Sequence, residues 1–342
     1  MIRAGVIGVG AIGRHHARVY NELDGVELVA IADPITERVQ AIASRFKVAA
    51  YPDHVALFEH ERLDLVSVAV PTALHYAVAG AALARGINVL LEKPIAASQA
   101  EAEQIIEQAR SADLILSIGH VERFNPAVIE LKKRLGSGEL GQVFQMHSRR
   151  LSPFPQYVRD VGVVMDLATH ELDILCHLLE SDPETIFAKT SRWLHPQYED
   201  AVFAVLNFPG GPVAMLEANW LTPSKLRELR VTGQNGMFLV DYLSQDLYFY
   251  ENSYRPSQWD TLALFRGMEE GNVVKVRLAK VEPLRAELAS FVDAVREHHA
   301  PRVSGEDGLK AIRLAGLLIS SGMSGRTLRM TDALALDNYP AP

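Results

Sequence analysis

The sequence predicts an α/β chain: an N-terminal doubly wound parallel sheet over residues 1–120, then an α+β domain over 121–342 with a large, mostly antiparallel open sheet. Three observations point there. Short, nearly continuous Val/Ile/Leu/Ala runs alternate with helical stretches in the first third, as a parallel sheet covered on both faces requires. After Gly119 strand-like runs follow one another with few helices between them. The chain has 342 residues, long for a single core.

Taken in order, residues 2–7 form an apolar strand, 12–23 a helix and 26–32 a second strand. A helix over 36–46, a strand over 65–70 and a helix over 74–85 follow. The strand 88–91, the helix 99–110 and the strand 114–118 complete the first domain. Asn125 followed by Pro126 reads as an N-cap with first-turn proline, and Gly136 ends that helix. Strands are expected at 142–151, 185–194, 201–208, 213–220, 226–232, 237–243 and 247–250, with one long helix at 162–179 among them. Helices at 283–297 and 306–322 close the chain, the second announced by Ser304 and Asp307 in capping-box spacing. Helices on one face of such a sheet leave the other to be covered, which favours an oligomer.

Composition narrows the function classes. A net charge of -8 disfavours a nucleic-acid partner, since phosphate backbones are met by excess Lys and Arg. Cys176 is the only cysteine, so neither an internal disulfide nor a cysteine metal cage can form; among Leu175, Leu178 and Leu179 it reads as a buried, inert thiol. The apolar run from Ala4 to Ile12 carries glycines that suit a nucleotide fold better than a signal peptide. Pro71, Thr72 and His75 interrupt the uncharged run 65–84, which therefore reads as strand then helix and not as a membrane span. A soluble cytoplasmic protein is expected.

Gly8-Val9-Gly10-Ala11-Ile12-Gly13 is a dinucleotide fingerprint placed between a strand and a helix. Gly8 permits the tight turn, Gly10 lets the backbone approach a pyrophosphate, and Gly13 lets helix and strand pack closely. Asp33 ends the second strand, where a carboxylate binds both ribose hydroxyls and repels a 2′-phosphate. The expected fold is thus a Rossmann domain and the expected cofactor NAD. Arg38 is read as a helix-surface residue.

Two segments carry chemistry. Glu92-Lys93-Pro94 follows a strand whose carboxyl end lines the ligand crevice, so Lys93 points toward the cofactor. Asp166, His170 and Asp173 are spaced by four and three on one helix, which puts them on one face, and His177 continues the stripe. These residues suit alcohol oxidation, in which a hydride leaves carbon while a base takes the hydroxyl proton. His170 has the side chain best tuned to that task, with Asp166 to orient it and Lys93 to stabilise the developing alkoxide. Lys93 as the base stays open, although its pKa would have to fall from about 10.4 to about 7–8. No metal is expected, because hydride transfer beside a lysine does not need one.

These motifs, with Pro71-Thr72, His75 and Arg123-Phe124-Asn125-Pro126, resemble the Gfo/Idh/MocA oxidoreductase family over essentially the whole chain. The resemblance implies that Lys93, Asp166 and His170 are catalytic, and that Thr72, His75 and Glu92 stand near the nicotinamide half of the cofactor. It also suggests a cis Lys93–Pro94 bond and a homodimer or homotetramer built through the open sheet. Many members carry a Gly-Gly pair before the aspartate, whereas this chain reads Gly162-Val163-Val164-Met165-Asp166. With the Gly119–Pro126 run, that is similar to members that oxidise the 3-hydroxyl of UDP-N-acetylglucosamine to a ketone, a product an aminotransferase can take up.

For such a nucleotide sugar, Arg123, Arg149, Arg150 and Arg159 are candidate diphosphate ligands, as arginine forks suit phosphate. Asn125 and Tyr157 are carried with them on the substrate side, and Phe154 or Tyr157 is a candidate stacking partner for a uracil. Arg149 and Arg150 are adjacent on a strand, so only one can face inward. Two other readings stand beside this one: an inositol or free-sugar dehydrogenase, which would not need the arginines, and a non-catalytic NAD-sensing regulator.

Overall fold

The structure is a computed structural model that describes residues 1–155, 161–252 and 270–335. The chain divides into two units, Met1–Phe124 with Glu282–Arg313, and Asn125–Val281 with Leu314–Ala335. The first therefore ends four residues beyond the expected boundary and takes back a returning segment.

In the first unit, β1 (Ile2–Ile7), β2 (Val26–Ala32), β3 (Ala49–Tyr51), β4 (Leu65–Val68), β5 (Asn88–Leu91) and β6 (Leu116–Ile118) form one parallel sheet in the order β3-β2-β1-β4-β5-β6. The order reverses between β1 and β4, and it is at such a switch point, beyond the carboxyl ends of the strands, that doubly wound sheets bind ligands. The helices are α1 (Gly13–Glu22), α2 (Thr36–Phe46), the short α3 (His54–His60), α4 (His75–Leu83) and α5 (Gln99–Ser111). Strand β3 and helix α3 were not foreseen. The core joins Val6, Ile31, Leu65 and Leu90 of the sheet to Ala17, Val19 and Tyr20 of α1. Leu288, Phe291 and Val292 complete it from a returning helix, whose spacing of three and four sets one apolar stripe against the sheet.

The second unit begins at Asn125, whose side chain accepts from Ala127 N at 3.1 Å and so caps α6 (Pro126–Gly136) as the sequence requires. After α7 (Thr169–Leu179), the returning helix of the first unit is α8 (Pro283–Glu297), and α9 (Gly305–Ser324) follows. Ser304 and Asp307 form the expected box: Asp307 N donates to Ser304 Oγ at 3.2 Å, and Ser304 N to Asp307 Oδ2 at 2.9 Å.

Nine strands make the second sheet: β7 (Val143–Leu151), β8 (Thr185–Ser191), β9 (Ala201–Asn207), β10 (Val213–Asn219), β11 (Leu226–Gly233), β12 (Gly236–Asp241), β13 (Asp246–Asn252), β14 (Glu270–Val276) and β15 (Leu328–Arg329). Their order is β14-β13-β12-β11-β7-β10-β9-β8-β15, and only β7 and β10 pair in parallel. Strands β14 and β15 were not foreseen. Along β9 the side chains alternate, with Val202, Ala204 and Leu206 buried and Phe203 and Val205 open. The buried face meets helix: α7 packs on β7, α6 on β12 and β13, and Ser321 Oγ near the end of α9 accepts from Ala188 N at 2.9 Å. On the opposite face Phe187, Val205 and Met215 stand in register across three strands and are exposed. Among the described residues no helix is long and apolar enough to cross a membrane.

Candidate functional site

The fingerprint loop has the shape its glycines were expected to make. Gly8 has φ +82°, and a Cβ there would stand 2.5 Å from the carbonyl oxygen of Ala69. A Cβ on Gly13 would stand 1.8 Å from the carbonyl oxygen of Gly8, so α1 can leave β1 this closely only through glycine. Gly10 instead faces open space, with only Arg38 Nη1 within reach, at 3.9 Å. Helix α1 starts with neither a side-chain cap nor an acidic residue in its first turn, so its N-terminus suits a phosphate.

Beside the loop lies a cleft of about 400 Å³ lined by Val9, Gly10, Ala11, Arg14, Arg38, Ala41 and Ile42. Asp33 is buried at its edge, where Oδ2 accepts from Val9 N and Oδ1 from Ile35 N, each at 3.0 Å. Those bonds fix the carboxylate at the tip of β2, where ribose hydroxyls are read. Arg38 is exposed on α2, as expected, and its guanidinium lies 3.2 Å from Asp33 Oδ2 at the rim of the cleft. These residues fit an NAD molecule.

The other half of the crevice is built at the ends of β4 and β5. Thr72 opens a 3₁₀ turn, Thr72–Leu74, directly before α4. The Lys93–Pro94 peptide is cis. Glu92 Oε1 lies 3.0 Å from His16 Nε2, and Lys93 N donates to Glu92 Oε2 at 3.2 Å. Burial pushes the Glu92 carboxyl up, but its interaction with His16, the hydrogen bond first, and the nearby charge of Lys93 outweigh it and hold the carboxyl below its usual range. His75 is held within the protein. Only 1% exposed, it has Nδ1 2.8 Å from Pro94 O and Nε2 3.0 Å from Val70 O, so it ties two loops together. Burial lowers its pKa, which keeps the ring neutral.

His16 was missed in the sequence. It is fully buried on α1, with Nδ1 3.0 Å from Ser67 Oγ, which in turn lies 2.8 Å from Tyr20 OH. Its signal was a histidine three residues past the last fingerprint glycine, on the helix face that meets the sheet.

In the second unit, one continuous α-helix over 162–179 is corrected. Val164–Ala168 wind as a π-helical turn, and only Thr169–Leu179 are α-helical. Asp166 lies in the wide turn, while His170 and Asp173 lie on α7, 8% and 4% exposed. The cause is local. Glu199 takes the first amides of the segment, its carbonyl accepting from Val163 N at 2.9 Å and its carboxylate from Val164 N at 3.1 Å. Thr169 Oγ1 donates to Met165 O at 2.9 Å. A Cβ on Gly162 would come within 2.1–2.4 Å of the Glu199 carboxylate, so that residue must be glycine. Such single wide turns recur where helices carry functional groups.

Each described substrate-side residue has a partner within its own unit. Arg123 is buried, with Nη2 2.9 Å from Asp307 Oδ1 in the first unit. Asn125 uses its oxygen as the cap and its amide on Tyr242 O at 3.1 Å, a structural use of both ends. Arg149 and Arg150 point to opposite faces of β7, as alternation demands. Arg149 meets Glu217 at 3.1 Å, while Arg150 is buried with Nη1 2.8 Å from Glu171 Oε1 on α7. Ser148 and Tyr242 also donate to Glu171. Phe154 packs edge-on against Trp220 at 6.0 Å and beside His195 at 5.9 Å. Tyr157 and Arg159 lie outside the described residues. Cys176 is buried, as expected. Among the described residues no group of His, Cys, Asp and Glu is placed to hold a metal.

Comparison with known proteins places this geometry. Residues 2–120 match the oxidoreductase family with an NAD-binding Rossmann fold, and residues 128–239 match the GFO/IDH/MocA C-terminal domain. UDP-N-acetylglucosamine 3-dehydrogenase of Acidithiobacillus ferrooxidans is 30% identical over 92% of this chain and 95% of its own length. Its solved structure aligns with a TM-score of 0.84 at 29% identity over 94% of this chain and 98% of that one. Myo-inositol 2-dehydrogenase of Thermotoga maritima is 26% identical over 97% of this chain and all of its own.

Proposed function

The chain belongs to the Gfo/Idh/MocA oxidoreductase family, an NAD-binding dehydrogenase family, and on that premise we propose that it oxidises the 3-hydroxyl of UDP-N-acetylglucosamine to a ketone. The observation that carries the substrate is the likeness to the Acidithiobacillus enzyme through both units. A likeness confined to the cofactor domain would say nothing about the sugar.

The cofactor supplies the hydride acceptor. The chain supplies the rest. The fingerprint loop and the α1 N-terminus seat the pyrophosphate, and Asp33 takes the ribose hydroxyls. Thr72 and Glu92 stand on the nicotinamide side. In this reading His170 takes the hydroxyl proton, Asp166 orients its ring, and charged Lys93 stabilises the alkoxide as the hydride leaves. Arg150, the strand arginine on the helix-covered face, and Arg123 are the described candidates for the diphosphate side. Arg149 lies on the open face and is set aside. The inositols are a second reading, which the full-length likeness to the Thermotoga enzyme favours. The open sheet face is read as the contact with a second copy: beside its apolar row, the row Lys189–Phe203–Glu217–Arg149–Glu228 carries both signs of charge, so it can complement itself. A 3-keto product would be consumed by a transaminating enzyme, since an amine donor converts such a ketone directly.

The test is incubation of purified protein with NAD and UDP-N-acetylglucosamine, with hydroxylamine to trap the ketone. NADH formation with a trapped 3-keto sugar is expected. Lys93→Met should lower turnover by roughly 10²–10³-fold, as loss of one stabilising group does, and leave NAD affinity within about threefold. Turnover of an inositol instead would move the substrate assignment to the second reading.

A further inference from the structure

Lys93 sits between two residues that are each held by a buried histidine. Glu92 is held from α1, through His16 Nε2 at 3.0 Å on Oε1. Pro94 is held from α4, through His75 Nδ1 at 2.8 Å on the carbonyl oxygen. The two rings are 0% and 1% exposed. Each has its second nitrogen tied to the neighbouring strand β4 or its end: His16 to Ser67 Oγ at 3.0 Å, His75 to Val70 O at 3.0 Å. The Glu92 carboxylate passes the hold on, because its other oxygen accepts from the backbone N–H of Lys93 at 3.2 Å. Gly119 closes over it, since a Cβ there would lie 3.0 Å from Oε2.

We propose that His16 and His75 are positioning residues that clamp the Glu92-Lys93-Pro94 turn from two different helices and so set where the Lys93 ammonium stands. The proposal rests on the reading of Lys93 as a group that acts on the substrate hydroxyl. A buried ring is tolerated when its polar nitrogens find partners: His16 meets Glu92 and Ser67, and the single N–H of neutral His75 is shared between the carbonyls of Pro94 and Val70 that flank it. Tyr20 extends the His16 side of the clamp, with its hydroxyl 2.8 Å from Ser67 Oγ. A run of donors from Tyr20 to Ser67 to His16 to Glu92 satisfies every atom when His16 carries its proton on Nε2. Glu287 of α8 also feels the charge of Glu92, and it is pushed in turn by Glu122 of the short turn Val121–Phe124.

A merely structural histidine and a positioning one are separated by pairing each removal with a rescue. His16→Leu and His75→Leu should lower kcat by about 10- to 100-fold, the scale of a small misplacement of a reacting group, while NAD affinity stays within about threefold. His16→Gln should recover most of the loss, because an amide donates to Glu92 and accepts from Ser67. His75→Gln should do likewise, with two N–H donors for two carbonyls. A second readout needs no substrate. In ¹³C-methylated protein saturated with NAD, the Lys93 resonance, assigned with Lys93→Arg, is titrated with pH. Both leucine variants should shift its chemical shift and its midpoint, and both glutamine variants should return them toward wild type. If the leucine variants do not fold, Ser67→Ala carries both readouts, with a smaller shift of the same sign. Unchanged kcat and an unmoved Lys93 resonance in folded variants overturn the clamp. Wild-type protein inert on every sugar overturns the assigned reaction instead, and the resonance then decides the clamp by itself.

Discussion

Glu287 on α8 is a carboxyl with 1% exposure, and neither of its oxygens has a hydrogen-bond partner among the described residues. Burial raises its pKa well above the carboxylate range, and the charges of Glu92 and Glu122 push the same way. The folded protein therefore keeps a proton that the unfolded chain releases above about pH 4.3. A raised pKa stabilises fully below the unfolded value, and the contribution is lost as pH rises toward the folded one. Glu92 has the opposite sign: its depressed pKa favours the fold above about pH 4.3 and ceases to do so as pH falls through the folded value. Glu287→Gln should accordingly gain stability over wild type progressively between pH 5 and pH 8 and gain none near pH 4, measured by urea denaturation. A gap that does not change with pH would show that Glu287 ionises freely in the fold.

At the scale of elements, α7 is fastened to β7 by a buried ion pair. Arg150 and Glu171 are 3% and 0% exposed, and Ser148 and Tyr242 add hydroxyls to the same carboxylate. Removing one partner of such a pair leaves the other charge buried, a loss of about 3–5 kcal/mol. Arg150→Ala should therefore lower unfolding free energy by about that much, and Arg150→Met with Glu171→Leu should recover a good part of it. If Arg150→Ala instead kept its stability and lost only nucleotide-sugar affinity, the guanidinium would belong to the substrate. The π-helical turn before α7 makes a second case. Spacings of four and three assumed one α-helix through Asp166, His170 and Asp173, whereas Asp166 lies in the wide turn and the other two on α7. Nothing in residues 162–170 announces that turn, because Glu199, some thirty-five residues away, takes the amides that begin it.

Across the whole molecule, the nine-stranded sheet has helices on one face and Phe187, Phe203, Val205 and Met215 open on the other. Phe203 and Val205 alternate with buried neighbours on β9, and Phe187 and Met215 flank Val205 on β8 and β10. If that face meets a second copy, Phe203→Asp with Met215→Lys should halve the mass measured by light scattering and leave the far-ultraviolet dichroism unchanged. A mass unaffected by both charges would place the contact elsewhere.

Most of the first unit was legible because its determinants are local. The strands 2–7, 26–32 and 88–91 and the helices 36–46 and 283–297 have the observed bounds, since continuous apolar runs and helical spacing are written into adjacent residues. The fingerprint and Asp33 were legible for the same reason: φ at Gly8 and the tip of β2 are set within a few positions. Partners far along the chain were not. The sequence named Arg123, Asn125, Arg149 and Arg150 as substrate-side residues without showing the partners the packed chain gives them, Asp307, Tyr242, Glu217 and Glu171. It passed over His16, and it did not show that the His75 and His16 rings meet Pro94 and Glu92, nineteen and seventy-six residues away. Periodicity determines which side of an element is buried; only the packed chain decides what each buried polar atom finds there, because that choice depends on groups the local sequence does not contain.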